Sequence, residues 1–572
     1  MNNQSKKGYS AEKNIQILIY LLKAHHIRLA VVSPGTTNAN FVASMQNDPF
    51  FKIFSAVDER SAAYMACGMA AESGEPVVLS CTGATAARNY LSGLTEAFYR
   101  KLPIIAVNSL RSYSKIGQLV PQVIDQTVLP KDIAKVFVSL PIVKDEEDVF
   151  DCETKVNKAL LAVKENGGGP AYIFLPTKFS QEFIDVLPKY RAIYRIKKQD
   201  PHPTLKGKVA VLIGTHKIWT AKELSALENF AVANDAPVFC EHISNYHGKN
   251  AIHFSIVASL EQFDNNIWKP DILIHIGENF GDYADLKIVG EKVWRVNEDG
   301  ELHDTFQKLQ YIFAMSESTF FEYYTLHKIT KTDDYFSHFT TLLLQVSSHI
   351  PELPFSNIWL ARKMAALIPQ NAAIHFAILS SLRAWNFFHL PETVSAYSNV
   401  GGFGIDGCLS SLIGASLLNN QKLFYGIIGD LAFFYDMNVL GNRHIGNNVR
   451  ILLVNNGLGM EFKNYNHHGI IFGDNVDDYI AAKGHFGNKS LQLVKHYAED
   501  LGFIHLAASN KEESENCIAE FLNPMITDKP ILLEVFTDSE EEKLALKLLV
   551  QIPLSEQNVA VGMKEKKSLR FN

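Results

Sequence analysis

Cysteine is scarce. The 572 residues hold six, Cys67, Cys81, Cys152, Cys240, Cys408 and Cys517, scattered along the chain with no C-x-x-C pair. That excludes a disulfide scaffold and a zinc ribbon, and leaves small buried thiols in a reducing compartment. Positive charge is not in excess either. The 54 basic residues face 61 acidic ones, a formal net charge of −7, which argues against a dedicated nucleic-acid protein. No apolar run reaches about 18 residues, so no membrane-spanning helix is expected. The stretch up to Arg28 is basic and apolar but has no small-residue cleavage site, and its apolar positions recur with a helical period. It reads as an amphipathic helix of a cytoplasmic protein, not as a signal peptide. No G-x-G-x-x-G follows the first strand of the middle block, so neither bound FAD or NAD nor a plain Rossmann dehydrogenase is expected.

What is present is a globular composition, 47% hydrophobic and 20% charged, long enough for about three to four domains. Short β-branched runs alternate with helical patterns. IRLAVVS, PVVLSC, PIIAVNS and PAYIFLP read as buried parallel strands of a first block. The polar stretch RIKKQDPHPTLKGK reads as a linker. VAVLIGT, APVFCE, DILIHIG and KVWRV form a second block, and AAIHFA, TVSAYSN, KLFYGIIGD, VRILLVNNG and PILLEVFTD a third. The expected fold class is α/β, with three doubly wound parallel-sheet domains over residues 1–190, 191–345 and 346–572.

The third block carries the most informative spacing. LFYGIIG is an apolar strand ending at Asp430. FFYDMNVLGNRHIG is long enough for a crossover helix. VRILLV leads to Asn455 and Asn456, the latter 26 residues beyond Asp430. A right-handed crossover would place both polar ends at the carboxyl edge of one sheet, where ligands of open α/β sheets bind. A carboxylate, an amide oxygen and a backbone carbonyl are hard donors, and with two phosphate oxygens and a water they complete the octahedron that Mg²⁺ prefers. The bland reading is that Asp430 and Asn456 are turn residues after strands.

This stretch resembles the diphosphate-binding motif of thiamine diphosphate enzymes, G-D-G…N-N, with Leu431 where most members have glycine. Within that family, GDL followed by YDMNVL is similar to the synthases of menaquinone biosynthesis. The resemblance implies Asp430, Asn456 and the Leu458 carbonyl as Mg²⁺ ligands and thiamine diphosphate as cofactor. The three blocks become pyrimidine, central and diphosphate domains. It further implies that Glu59, which follows a short strand and opens an Ala-rich helix, bonds the aminopyrimidine ring and shares a proton with it. The turn at Thr82 and Gly83 and the stretch ending at Gln122 are similar to other family segments near the cofactor. In the third block Ser380 and Ser381 would lie at the diphosphate. The SNVGGFGIDG loop would hold the aminopyrimidine at Gly404 and support the bent cofactor with Ile405, or else Phe403. Glu461 is expected over the thiazolium as a proton donor or a group binding a polar substrate, with His467 and His468 in the same loop.

The implied activity is decarboxylation of a 2-oxo acid, with transfer of the resulting carbanion or enamine to a proton or a carbonyl or enone acceptor. The implied assembly is a homodimer or homotetramer with sites between subunits. Two alternatives stay open: a cofactor-binding regulatory paralogue without turnover, and a menaquinone-type synthase with a rearranged substrate site. The menaquinone pattern carries S-P-G-S-R after the first strand and S-N-R-G in the third block, whose arginines face substrate carboxylates. Here the stretches read Ser33-Pro34-Gly35-Thr36-Thr37-Asn38 and Ser398-Asn399-Val400-Gly401. Both arginines are missing, so a less anionic acceptor is expected, hydrogen-bonded by Thr36, Thr37 and Asn38, with Arg88 or Arg111 as replacement charges.

Overall fold

The computed structural model describes residues 8–126, 128–329, 334–464, 467–484 and 490–554. Two compact units account for the chain: Met1–Ile196 with Glu301–Ile312, and Lys197–Gly300 with Phe313–Asn572.

In the first unit a two-residue strand, Tyr9–Ser10, paired antiparallel with Phe183–Ile184, precedes helix α1 (Lys13–Ala24). Its burial is wider than one amphipathic face. Asn14 and Gln16 are buried beside the isoleucines and leucines, and both side-chain amides reach backbone carbonyls, Asn14 to Pro176 at 2.8 Å and Gln16 to Ser10 at 2.8 Å. Six strands follow: β1 (Leu29–Val32), β2 (Lys52–Ser55), β3 (Val77–Thr82), β4 (Ile104–Leu110), β5 (Val136–Ser139) and β6 (Ala171–Pro176). They lie in the order β2-β1-β3-β4-β6-β5, and every pairing is parallel. β3, β4 and β6 are buried along almost their whole length, which is why they read as continuous apolar runs.

The second unit carries two sheets. In one, β7 (Val209–Ile213), β8 (Val238–Cys240), β9 (Ala251–Ile252), β10 (Ile272–Ile276) and β11 (Lys292–Val296) lie parallel as β9-β8-β7-β10-β11. In the other, the strands are β12 (Ala373–Phe376), β13 (Ser395–Ser398), β14 (Phe424–Gly429), β15 (Val449–Asn455), β16 (Ile504–Ala508) and β17 (Ile531–Phe536). Their order is β13-β12-β14-β15-β17-β16, again all parallel. Counted from its own first strand, this sheet has the same order as the first unit's sheet, 2-1-3-4-6-5. In both, the chain reverses its direction of winding between the first and third strands, which opens a crevice at the carboxyl edge.

The stretch expected as a linker begins inside a half-buried strand, Tyr194–Lys197, in which Tyr194 and Ile196 are β-formers. Irregular backbone then runs to β7. No helix among the described residues is long and apolar enough to cross a membrane. Residues 562–572, GMKEKKSLRFN, whose sequence reads as a charged tail, lie outside the described residues.

Candidate active site

In each six-stranded sheet the candidate residues gather at the carboxyl ends of strands one to four. In the second unit Ser380 follows β12, Val400 and Gly404 follow β13, Asp430 follows β14 and Asn456 follows β15. In the first unit Thr36–Asn38 follow β1, Glu59 follows β2, Thr82 and Gly83 end β3, and Gln122 lies in the loop after β4.

β14 stops at Gly429, and Asp430 itself opens a seven-residue helix, α4 (Asp430–Asp436). The crossover is therefore shorter than its sequence pattern suggests, and a 3-10 turn over Met437–Gly441 completes it. Asp430 is 4% exposed. Burial pushes its carboxyl up to about 7, while the amides of Leu431, Gly457, Asp430 and Leu458 pull the other way. The Leu431 N–H donates to Oδ1 at 3.0 Å. The amides of Gly457 and Leu458 can act on Asp430 because β14 and β15 are in register, Gly429 opposite Val454. Asp430 makes no ion pair among the described residues. A buried carboxylate with amides on some sides and no cation is costly unless a positive group joins it. The arrangement fits a divalent metal, with Asp430 supplying charge and the turn after β15 supplying neutral oxygens.

The two asparagines of that turn differ. Asn455 points into the core, where its amide donates to Glu534 at 2.8 Å. Asn456 is half-buried, and its oxygen accepts the Leu458 N–H at 3.4 Å. Gly457 takes φ +78°, a left-handed turn that a side chain would strain. Leu458 is buried against Met460, Val476 and Ala481.

Ser380 opens helix α3 (Ser380–Asn386). Its hydroxyl donates to Glu461 at 3.2 Å, and Ser381 beside it is buried. Glu461 is fully engaged. Arg383 grips both its oxygens, at 2.9 and 3.1 Å, and the Asn464 amide donates at 3.2 Å. Arg383 also faces the buried Asp282 carboxylate at 3.4 Å. Burial alone would weaken the guanidinium's charge, but Asp282 and Glu461 outweigh it and raise its pKa. A carboxylate ringed by four donors suits an anchor better than a proton donor. His467 accepts the Gly469 N–H at 2.9 Å, and His468 is exposed. Ile405 is half-buried against the core beneath this sheet, whereas Phe403 sits at φ +53° with its ring 5.7 Å from that of Tyr283.

In the first unit Glu59 begins helix α2 (Glu59–Ser73), capped by Asp58, which accepts the Arg60 N–H at 2.9 Å. Ala62, Ala63, Ala66 and Ala70 bring the helix close to the sheet. Glu59 is half-buried. The Cys81 thiol in β3 is pushed up by burial, with the Glu59 charge acting in the same direction, so the carboxylate lies towards the end of β3. Gln122 is exposed and left-handed at φ +63°. The buried glutamine of that loop is Gln126, which accepts the Asn108 amide at 2.8 Å.

Three of the residues expected to meet substrate are buried. Thr37 is 5% exposed and Asn38 0%. The Thr37 hydroxyl bonds to Thr82 and donates to the Ser109 carbonyl at 2.6 Å, and the Asn38 amide donates to Ser33 at 2.9 Å. Gly35 permits this packing, since a Cβ there would come within 2.7 Å of Thr82. Val400 is 3% exposed. Thr36 alone of the set is exposed. Thr37 and Asn38 are buried because their polar side chains fold back onto Thr82, Ser109 and Ser33 at the strand ends.

Two positions went unnoticed in the sequence. Ala84, after Gly83, and Leu379, before Ser380, adopt φ +61°, ψ −134° and φ +62°, ψ −126°. Neither residue type favours that region, and such strain costs about 1–3 kcal/mol each and clusters at functional sites. Alanine and leucine carry no signal of it.

Residues 13–129 match the thiamine pyrophosphate enzyme, N-terminal TPP binding domain. Along most of its length the chain is similar to three proteins named 2-succinyl-5-enolpyruvyl-6-hydroxy-3-cyclohexene-1-carboxylate synthase. The one from Phocaeicola vulgatus is 30% identical, over 94% of this chain and 98% of the relative. That from Bacteroides fragilis is 29% identical, with the same coverage. That from Flavobacterium johnsoniae is 26% identical, over 93% and 97%.

Proposed function

The chain belongs to the thiamine diphosphate-dependent enzymes, and from that premise we propose that it decarboxylates a 2-oxo acid and transfers the remaining carbon fragment to a proton or to a carbonyl or enone acceptor. The observation that carries the reading is the convergence of Asp430 and the Asn456–Leu458 turn at one sheet edge, with a buried carboxylate that pairs with no cation among the described residues. Asp430, Asn456 and the Leu458 carbonyl would hold Mg²⁺, and the metal would hold the diphosphate. Thiamine diphosphate, when bound, supplies the thiazolium carbon that attacks the 2-oxo group and stabilises the charge left by CO₂ loss. Glu59 would hold a proton at the aminopyrimidine nitrogen. Ile405 would support the cofactor from below, and Gly404 would let the backbone approach it. Glu461, through Arg383 and Ser380, would keep the loop after Asn456 in place. The three sheets would mark pyrimidine, central and diphosphate domains, with the site shared between subunits of a dimer or tetramer.

The names of the relatives favour a second reading, a synthase of the same kind with a rearranged substrate site. Against it stand Thr37 and Val400, which occupy the two arginine positions, carry no charge and are buried. A buried substrate carboxylate without its cation costs several kcal/mol. The proposal is that isochorismate and 2-oxoglutarate are not joined at a useful rate.

The test has two parts. Thiamine diphosphate should survive gel filtration with Mg²⁺ and be lost with EDTA, and a panel of 2-oxo acids should give CO₂ release for at least one member. Failure to retain the cofactor sinks the reading. Retention without CO₂ from any acid favours a regulatory paralogue. Turnover of isochorismate with 2-oxoglutarate typical of a dedicated synthase establishes the second reading.

A further inference from the structure

Asn455 closes β15 and Asn456 opens the turn beyond it. Asn456 is assigned above to a metal, which leaves Asn455 without a task at the site. Its side chain instead enters a polar chain that crosses three neighbouring strands, β15, β17 and β16. The Asn455 amide donates to one oxygen of Glu534 in β17 at 2.8 Å. The other oxygen of Glu534 lies 3.1 Å from His505 Nε2 in β16, a nitrogen that can only donate to an ionised carboxylate. Glu534 is 1% exposed and the His505 side chain 4%, so water takes little part in the chain.

The register brings the three together. Glu534 stands opposite Leu453 on one side and Ala507 on the other. Side chains two apart along a strand share a face, so Asn455, Glu534 and His505 point to one side of the sheet. The backbone adds a second tie, since the Thr537 N–H donates to the Asn455 carbonyl at 3.1 Å.

Packing does not call for a glutamate here. β17 reads ILLEVF, and Glu534 is its one charged residue. Replacing buried ionic groups by apolar ones of like volume is often neutral or stabilising, so leucines across these positions would serve the core as well. What the carboxylate does is hold an amide whose neighbour along the chain is Asn456. Asn455 cannot swing its side chain out of the strand without stripping a bond from a buried carboxylate. The direction in which the chain enters Asn456 and the left-handed Gly457 is thereby set.

We infer that Glu534, oriented by His505, is a positioning residue for the turn after β15: it holds Asn455 so that the Asn456 side chain and the Leu458 carbonyl stay beside Asp430. The inference rests on the proposed metal role of Asp430 and Asn456, and deepens it by assigning residues that never touch the ion.

The experiment uses the full chain. Calorimetry gives the Mg²⁺ concentration that half-saturates thiamine diphosphate binding, and urea unfolding without cofactor gives stability. The triple variant Asn455→Leu, Glu534→Leu, His505→Leu strands no polar group of the chain. It should need about tenfold more Mg²⁺, the lower end of what outer partners of metal ligands contribute, while its stability stays at or above the parent's. Glu534→Gln keeps an oxygen for the Asn455 amide and a donor for His505, and should shift the Mg²⁺ requirement far less. Should the triple variant not fold, Glu534→Leu is set against Leu533→Ala, which is equally buried on the opposite face of β17. Both should lose stability, and only Glu534→Leu should lose Mg²⁺ affinity. An unchanged Mg²⁺ requirement in the triple variant or in Glu534→Leu overturns the inference. So does an equal loss of Mg²⁺ affinity in Leu533→Ala, which would make the effect one of stability. A full loss in Glu534→Gln would assign the effect to charge and overturn it too. If Asp430→Ala abolishes Mg²⁺-dependent cofactor binding while the Glu534 variants bind as the parent does, this inference alone fails. If the parent itself binds the cofactor without Mg²⁺, the metal reading fails and the inference with it.

Discussion

Replacing Arg383 by methionine tests what Glu461 does. The guanidinium lies between Asp282, whose side chain is 2% exposed, and Glu461, at 17%. Methionine fills much of the space but leaves two poorly hydrated carboxylates facing each other without a cation. Breaking a buried pair in this way costs about 3–5 kcal/mol. Glu461→Gln keeps the shape and loses a charge-assisted bond, for about 1.5–3 kcal/mol. In the double variant one of the stranded charges is gone, so its cost should fall short of the sum by 1 kcal/mol or more. The assay is urea unfolding of the four proteins as a double-mutant cycle, with thiamine diphosphate affinity measured in parallel and Arg383→Lys as the partial rescue. Loss of cofactor affinity should follow the loss of stability, because Glu461 anchors the segment after Asn456. A Glu461→Gln protein that keeps parental stability and cofactor affinity yet loses turnover a hundredfold would refute the anchoring role and restore Glu461 as a proton donor.

Asp430→Ala should abolish Mg²⁺-dependent retention of thiamine diphosphate, since it removes the charged protein ligand; tight cofactor binding by the variant would end the metal assignment. Glu59→Gln should keep the fold and much of the cofactor affinity but lose exchange of the cofactor's C2 proton, read by proton NMR. Mixing these two inactive variants under subunit exchange should restore part of the activity if the site is shared, and none if it lies within one chain. Glu542 offers a pH test. It is buried, accepts the Asn357 N–H at 2.9 Å and the Thr537 hydroxyl at 2.7 Å, and burial pushes its carboxyl up from 4.5 to about 7. A raised carboxyl favours the protonated fold, so its contribution is full below pH 4.5 and lost as pH rises through 7, about 3 kcal/mol in order of magnitude. Glu542→Gln should flatten the fall in melting temperature between pH 5 and 8; an unchanged slope would assign that fall to other groups.

The parallel sheets were legible because strands buried on both faces are written mostly in apolar residues, as β3, β4, β6, β14, β15 and β17 are apart from buried Ser80, Asn108, Ser109, Arg450, Asn455 and Glu534. The ends of those strands were legible too, because polar residues placed just after an apolar run stand at the sheet edge. What happens one or two residues further on was not. Thr36 and Thr37 are the same residue type at adjacent positions, yet one is exposed and the other buried against Thr82, a difference set by a strand 45 positions away. The partner of Glu461 is 78 positions earlier, and no local pattern links them. The shared strand order of the two six-stranded sheets is likewise hidden, because topology is fixed by packing between elements whose spacing along the chain differs.

The arginines beside the candidate residues show where the chain can still recognise charge. In the second unit Arg383 is bound to two carboxylates, so a substrate carboxylate could recruit it only by displacing one of them, at the cost of a broken buried pair. In the first unit Arg88 bonds the loop backbone at Asp125, and moving it would release the end of the loop after β4. Among the described residues, Arg111 alone of the three is held by nothing stronger than the face of an aromatic ring. Such an exposed contact is worth about 0.5–1 kcal/mol, comparable to the roughly 0.2–1 kcal/mol of an exposed ion pair. A monocarboxylate could therefore replace the Phe179 ring at Arg111 at little cost and without breaking a contact that holds the fold. A dicarboxylate gains the same once, and its second charge meets none of these three guanidinium groups without breaking a contact that holds the fold.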